Sequence, residues 1–308
     1  MRVAYSTLKS PTDDVIYDNF RRLLTFRIGD IRDYSSVCGV LRGVNIVINA
    51  AALKQVPSCE YFPHEATLTN VLGPSNIVRA IEENDLPIET VVGVSTDKAC
   101  LPINAMGMTK ALQERIFISG NITYPKTRFI CVRYGNVLAS RGSVIPLFHE
   151  QIKTGGQVTI TTSDMTRFLL PLSHAVTTIA TAIAHAKPGE TYIPKIPAAK
   201  IIDVANALIG DRKLQIKIIG IRPGEKIHEL MISPEEGIRA FDRGDFYVIK
   251  PMLPELLSMS DQENENPRGR SYGSNDDIMT FEQTVELLKK YKLMIGDNRD
   301  GIDEELLC

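Results

Sequence analysis

The sequence has no tryptophan and no excess of charge of either sign: 35 Lys and Arg stand against 37 Asp and Glu, for a formal net charge of -2. That balance gives no electrostatic reason to expect nucleic acid or an anionic membrane as a partner. No apolar run approaches the roughly 18 to 20 residues that cross a bilayer, and the opening MRVAYSTLKS lacks the apolar core of a signal peptide. An intracellular, cytoplasmic protein is expected. The cysteines, Cys38, Cys59, Cys100, Cys131 and Cys308, are odd in number and widely spaced, with no C-x-x-C pair, so neither a disulfide framework nor a zinc site follows. His64, His149, His174, His185 and His228 have no ligand spacing either, and no metal is expected.

What is present is a globular composition, 44% hydrophobic over 308 residues, which suits one large or two interlocked domains. Short β-branched runs at 44–50, 90–95 and 128–134 alternate with segments of helical period at 64–84 and 104–119. VNIVINA and FICVRY are apolar almost throughout, as strands covered on both faces of a parallel sheet must be. The expectation is an α/β fold with a doubly wound, Rossmann-like parallel sheet. Beyond Asn136 the rhythm shortens, with helices expected near 145–154, 173–185 and 201–209, a polar loop over 261–276 and a last helix near 281–291. Residues 1–135 therefore read as the sheet domain, and residues 136–308 as a second, C-terminal region of shorter elements partly interleaved with it.

In open α/β sheets small molecules bind outside the carboxyl ends of the strands, which directs attention to residues 50–55, 95–98 and 135–136. Ala50, Ala51 and Ala52 either let a flat ring approach the first strand end or serve tight helix packing. Asp30 and Arg32, after the strand-like TFRI, either edge an adenine ring or form a solvated turn. Asp97 and Lys98 directly follow a strand, and Lys110 lies on the helix that starts near Asn104, so an acid, a base and a second cation converge. The alternative for Asp97 and Lys98 is a surface ion pair worth about 0 to 1 kcal/mol. A lysine base must shed its proton, and burial or the neighbouring Lys110 would depress the Lys98 pKa as that role requires. Lys54 reaches a ligand or is simply solvated.

NAAALKQVPSCE, TNVLG, STDKA, PINAMGMTK, RYGNVLASRGSVIPLF, MTRFLL and IRPGEKIHELMIS occur in that order over roughly residues 20 to 290. Together they resemble the extended short-chain dehydrogenase/reductase family, specifically its nucleotide-sugar 4,6-dehydratases of capsular polysaccharide synthesis. Within these the sequence is most similar to the CapE-like, CapD-related UDP-N-acetylglucosamine branch. The resemblance implies a recycled NAD, with NADP as the alternative, and a UDP-sugar substrate oxidised at C4, dehydrated across C5 and C6, then reduced at C6. It implies Asp97 as acid, Lys98 as base, Lys110 on the nicotinamide ribose and Thr96 beside the C4 hydroxyl. Asp30, Ile31, Ala50, Ala51, Ala52 and Lys110 would hold the cofactor. Lys54, Asn70, Asn136, Ser143, Val144, Pro146, Arg167, Arg222 and Glu225 would hold the substrate, with Arg222 on the diphosphate and Glu225 on the ribose, as a forked guanidinium and an accepting carboxylate suit. For Asn70 a helix-cap or turn role is the competing reading. A homo-oligomer is the family expectation.

Two departures stand out. Met106 occupies the position of the family's tyrosine, four residues before Lys110, and a thioether exchanges no proton; the CapE-like branch resembles this sequence there. No G-x-x-G-x-x-G loop occurs near the start, so the backbone cradle for a pyrophosphate is absent from the motif set and about one βα unit is expected to be missing, with residues 3–7 as a strand remnant. These departures leave a second expectation beside the enzyme: a non-catalytic nucleotide-sugar-binding or assembly subunit derived from one.

Overall fold

The structure, a computed structural model, describes residues 23–140, 143–257 and 266–297. The expected strand at 3–7 and Cys308 lie outside these residues. The central sheet starts with three parallel strands, β1 (Ile46–Asn49), β2 (Thr90–Thr96) and β3 (Arg128–Tyr134). It continues through Thr191–Pro194, parallel to β3, and two antiparallel strands, Phe246–Ile249 and Ala240–Arg243. Half of its strands thus come from beyond residue 136.

The near-continuous apolar character of β2 and β3 follows from burial on both faces. Val91, Phe129 and Cys131 pack under Ile77, Ile81 and Phe117 of the helices Gly73–Glu83 and Ala105–Thr123. Val92, Ile130 and Val132, one residue out of phase, pack under Ala182 and Ala186 at the helix Leu172–His185. Successive strand residues face opposite sides, so each face gathers its own core. Each such Val, Ile or Phe contributes roughly 1.5 to 3 kcal/mol by leaving water.

Three local expectations change. The segment 64–84 is not one helix but Pro63–Thr67, a wider π turn at Leu68–Leu72, and Gly73–Glu83. Pro74 has no N–H to donate to the carbonyl of Asn70, so the regular ladder cannot run through. TFRI forms no strand, since residues 24–30 have no ladder partner among the described residues and Ile28 is fully exposed. The polar stretch 261–276 holds a short strand at Tyr272–Gly273, paired with Leu230–Ile232. Tyr272 anchors it, its ring 5.1 Å from those of Phe168 and Tyr247 and its hydroxyl bonded to the backbone of Ile196.

The remaining residues form a second core between Val144–Lys153, Ile201–Ile209 and Phe281–Lys290, where Phe148, Val204, Leu208 and Leu288 meet. One buried side chain locks sequence-distant parts together. Arg133 on β3 reaches Glu114 on the long helix at 2.6 Å and Glu236 of the turn Pro234–Gly237 at 2.8 Å.

Candidate active site

The carboxyl ends of β2 and β3 open onto a cavity of about 470 Å³, walled on its far side by Val144–Lys153 and the loop 219–225. Thr96 ends β2 and caps the 3-10 turn Asp97–Ala99, accepting from the Lys98 N–H and donating its hydroxyl to Asp97 Oδ1 at 2.8 Å. The tight turn sends Lys98 into the cavity, where its Nζ donates to Asp97 Oδ1 at 3.1 Å and Asn136 Oδ1 at 3.4 Å. Glu229 Oε1 lies 3.2 Å from the same Nζ.

That placement reverses one expectation. Burial by itself would lower the Lys98 pKa, but Asp97 and then Glu229 outweigh it, and the Lys98 pKa is raised. Lys110 is the lysine whose proton is loosened: burial brings it down to about 8. Its Nζ donates to the Val94 carbonyl at 2.7 Å and to Gln113 Oε1 at 2.6 Å, and it has no carboxylate in direct contact among the described residues. Asp97 itself is 1% exposed and does not line the cavity; Lys98 and Thr96 stand in front of it, and its Oδ2 has no partner among the described residues.

The helix carrying Met106 and Lys110 is set by Asn104, whose side chain accepts from the Gly107 N–H at 2.8 Å and donates to the Gly224 carbonyl at 2.9 Å. Gly224 adopts φ +79°, a left-handed turn that favours glycine. Gly107 has no room for a side chain, because a Cβ would sit 2.3 Å from the Lys98 carbonyl oxygen. The helix start, the Lys98 turn and the 222–225 loop therefore hold one another in place.

Lys54, Thr96, Lys98, Lys110, Asn136, Ser143, Val144, Arg167, Arg222 and Glu225 all reach the cavity wall, as does Met106. Glu225 Oε2 accepts from Thr161 Oγ1 at 3.3 Å, and the Arg222 side chain is exposed. Other expected residues are elsewhere. Asn70 is fully buried in the π turn and clamps the Leu53 N–H and carbonyl at 2.8 and 3.0 Å, so it shapes the loop ahead of Lys54 and does not line this cavity. Pro146 is off the wall because helical spacing gives the cavity to Val144, Leu147 and Phe148. Arg167 lines the cavity but spends its guanidinium on the carbonyls of Thr166, Lys226 and Ile227. Ala50 and Ala51 are exposed beyond β1, outside the cavity, with Ala52 half-buried. Asp30 is exposed and held by Arg32 at 2.7 Å, and Arg32 is held also by Glu65. Ile31 packs against Gly73, where a Cβ would come within 2.9 Å of it.

Sequence reasoning missed Glu229. It is 2% exposed, lines the cavity and sits 131 residues from Lys98 in sequence, with only its position in IHEL, just before a short apolar strand, to mark it.

Residues 5–251 match the model of a family described as polysaccharide biosynthesis protein. A Rickettsia conorii protein named UDP-glucose 4-epimerase is 48% identical over 230 residues, 73% of this chain and 67% of that one. Among solved structures, Pen from Bacillus thuringiensis is 33% identical with a TM-score of 0.81, covering 91% of this chain and 86% of Pen. DesIV from Streptomyces venezuelae, a dTDP-glucose 4,6-dehydratase solved with NAD, is 22% identical with a TM-score of 0.58 over 65% of this chain and 68% of DesIV, and shares the fold.

Proposed function

The chain belongs to the polysaccharide biosynthesis protein family, and from that premise we propose that it is an NAD-dependent UDP-N-acetylglucosamine 4,6-dehydratase. The observation that carries this reading is the Lys98–Asp97 hydrogen bond at the wall of a cavity that also presents Lys110, Arg222 and Glu225. Elimination of water across C5 and C6 needs a base at C5 and an acid at the departing hydroxyl, whereas exchange of configuration at C4 needs proton transfer only at the C4 hydroxyl.

The described residues fit one end of the cofactor. Ala50 and Ala51 are exposed at the end of β1, the amide Nδ2 of Asn49 is buried there without a partner among the described residues, and Lys110 faces the cavity. NAD bound there supplies hydride acceptance and return. Lys110, its pKa near 8, holds a ribose and assists removal of the C4 hydroxyl proton; Met106 beside it takes no part in proton transfer.

The resting pair is an ammonium and a carboxylate. Passage of one proton along the 3.1 Å bond gives neutral Lys98 and protonated Asp97. The amine takes the C5 proton, made acidic by the C4 carbonyl. Asp97 gives its proton to the Thr96 hydroxyl, which passes its own to the departing C6 hydroxyl, and water leaves. The pair is then again ammonium and carboxylate; Lys98 later returns a proton to C5, and the proton released from the C4 hydroxyl restores its charge. Arg222 and Glu225 take the diphosphate and ribose of UDP.

Turnover in deuterium oxide tests this: the 4-keto-6-deoxy product carries a solvent deuterium at C5, seen by NMR. A product with no C5 deuterium contradicts the reading. The relatives' name favours a second reading, a UDP-glucose 4-epimerase, in which UDP-galactose forms and no water is lost.

A further inference from the structure

Lys98 is held by two buried carboxylates, not one. Asp97 comes from the adjacent residue, while Glu229 comes from the C-terminal half, just ahead of the strand Leu230–Ile232. We infer that Glu229 is a positioning residue for Lys98, fixing its ammonium over the cavity and completing the acid–base pair only when the C-terminal half is docked on the sheet. This deepens the dehydratase reading and rests on it for the part Lys98 plays.

The shelf that carries Glu229 is rigid. Its N–H donates to Ser274 Oγ at 3.0 Å, and its carbonyl accepts from the Ser274 N–H at 2.8 Å. Ser274 Oγ in turn lies 2.7 Å from Thr166 Oγ1, which also meets His228 Nδ1 at 2.8 Å. A backbone tied at both ends aims the side chain without help from the ligand. Glu229 Oε1 faces Lys98, with Arg167 Nε 3.9 Å away, while Oε2 is buried with no partner among the described residues.

The charges facing Lys98 are Asp97 and Glu229 against the cation Arg167, with Lys110, Arg222, Glu225 and Lys54 further around the same cavity. The ammonium that Glu229 and Asp97 hold lines the cavity, where a ligand meets it, and does not lie sealed in the core as a purely stabilising pair would. Two anions around one ammonium also favour the charged lysine between turnovers. Only passage of the proton to Asp97 then exposes the neutral amine, so the base appears together with its acid.

The test reads Lys98 directly and needs no turnover. Purified full-length protein is acetylated with a trace of acetic anhydride across a pH series, and modification of Lys98 is followed by peptide mass spectrometry. With E229Q the pH midpoint of Lys98 labelling falls by about one unit or more, the scale of effect of an opposite charge at this distance, which is roughly tenfold faster labelling below it. E229D, which keeps the charge on a shorter arm, holds the midpoint near that of the parent. In turnover E229Q loses kcat with KM for the UDP-sugar little changed, and E229D recovers part of it. An unmoved midpoint in folded E229Q overturns the inference; if E229Q does not fold, a midpoint in E229D displaced as far as removal of the charge requires overturns it as well. A moved midpoint without any water loss by the parent protein leaves the placement of Glu229 standing and removes the dehydratase reading instead.

Discussion

Lys110 and Lys98 share a cavity but are driven in opposite directions, and each has a consequence that a single substitution reads. For Lys110 the folded pKa of about 8 lies below its ordinary 10.5. Between those values the unfolded chain binds the extra proton, so this residue's contribution to stability rises with pH across the window and is flat below it. Urea titrations at about pH 8 and about pH 10 check this: K110M is expected to lose that rise, together with turnover. For the other lysine the partner is the informative position. D97N is isosteric, keeps the turn, and is expected to retain UDP binding by calorimetry while losing water elimination at least a hundredfold, the range of a single general acid–base group. Unchanged turnover in D97N contradicts the assignment. Among individual residues, Asp97, Lys98 and Lys110 were legible because they follow a strand end and a helix start close in sequence. Glu229 was not, because nothing local distinguishes a carboxylate that becomes buried through contacts 131 residues away.

At the scale of elements, the site depends on how closely the helix Ala105–Thr123 approaches the Lys98 turn. Gly107 is where they touch, and a methyl there would meet a backbone carbonyl, which cannot rotate aside. G107A is therefore expected to cost about 1 to 3 kcal/mol by overpacking and to lower turnover by displacing Lys98; a denaturant midpoint equal to the parent's counts against this contact. Elements with a strong period were readable in advance: β2, β3 and Ile201–Ile209 fall where the apolar patterns place them. The π turn at Leu68–Leu72 was not, since the apolar spacing continues through it and only the ladder gap at Pro74 interrupts the helix. TFRI misled for the converse reason, as an alternating pattern makes a strand only when a neighbouring ladder receives it.

The whole molecule is joined across the sheet by buried charge. Arg133 is 2% exposed between Glu114 and Glu236, and Glu114 also accepts from Ser95 on β2 at 2.5 Å. Removing the arginine leaves two carboxylates buried without their cation. R133M is expected to cost about 3 to 5 kcal/mol, read as a lower urea midpoint, and R133M with E114Q and E236Q to recover a substantial part of it. No helix among the described residues is long and apolar enough to cross a membrane. The parallel sheet and its two-sided core were legible from composition and alternation, whereas the share of the sheet supplied from beyond residue 136 was not, because antiparallel return strands carry no mark of which sheet they join. Elimination is read by mass spectrometry of UDP-N-acetylglucosamine after incubation with the protein and NAD. Loss of one water is the expected result; a nucleotide sugar of unchanged mass, with its 4-epimer appearing by chromatography, contradicts it.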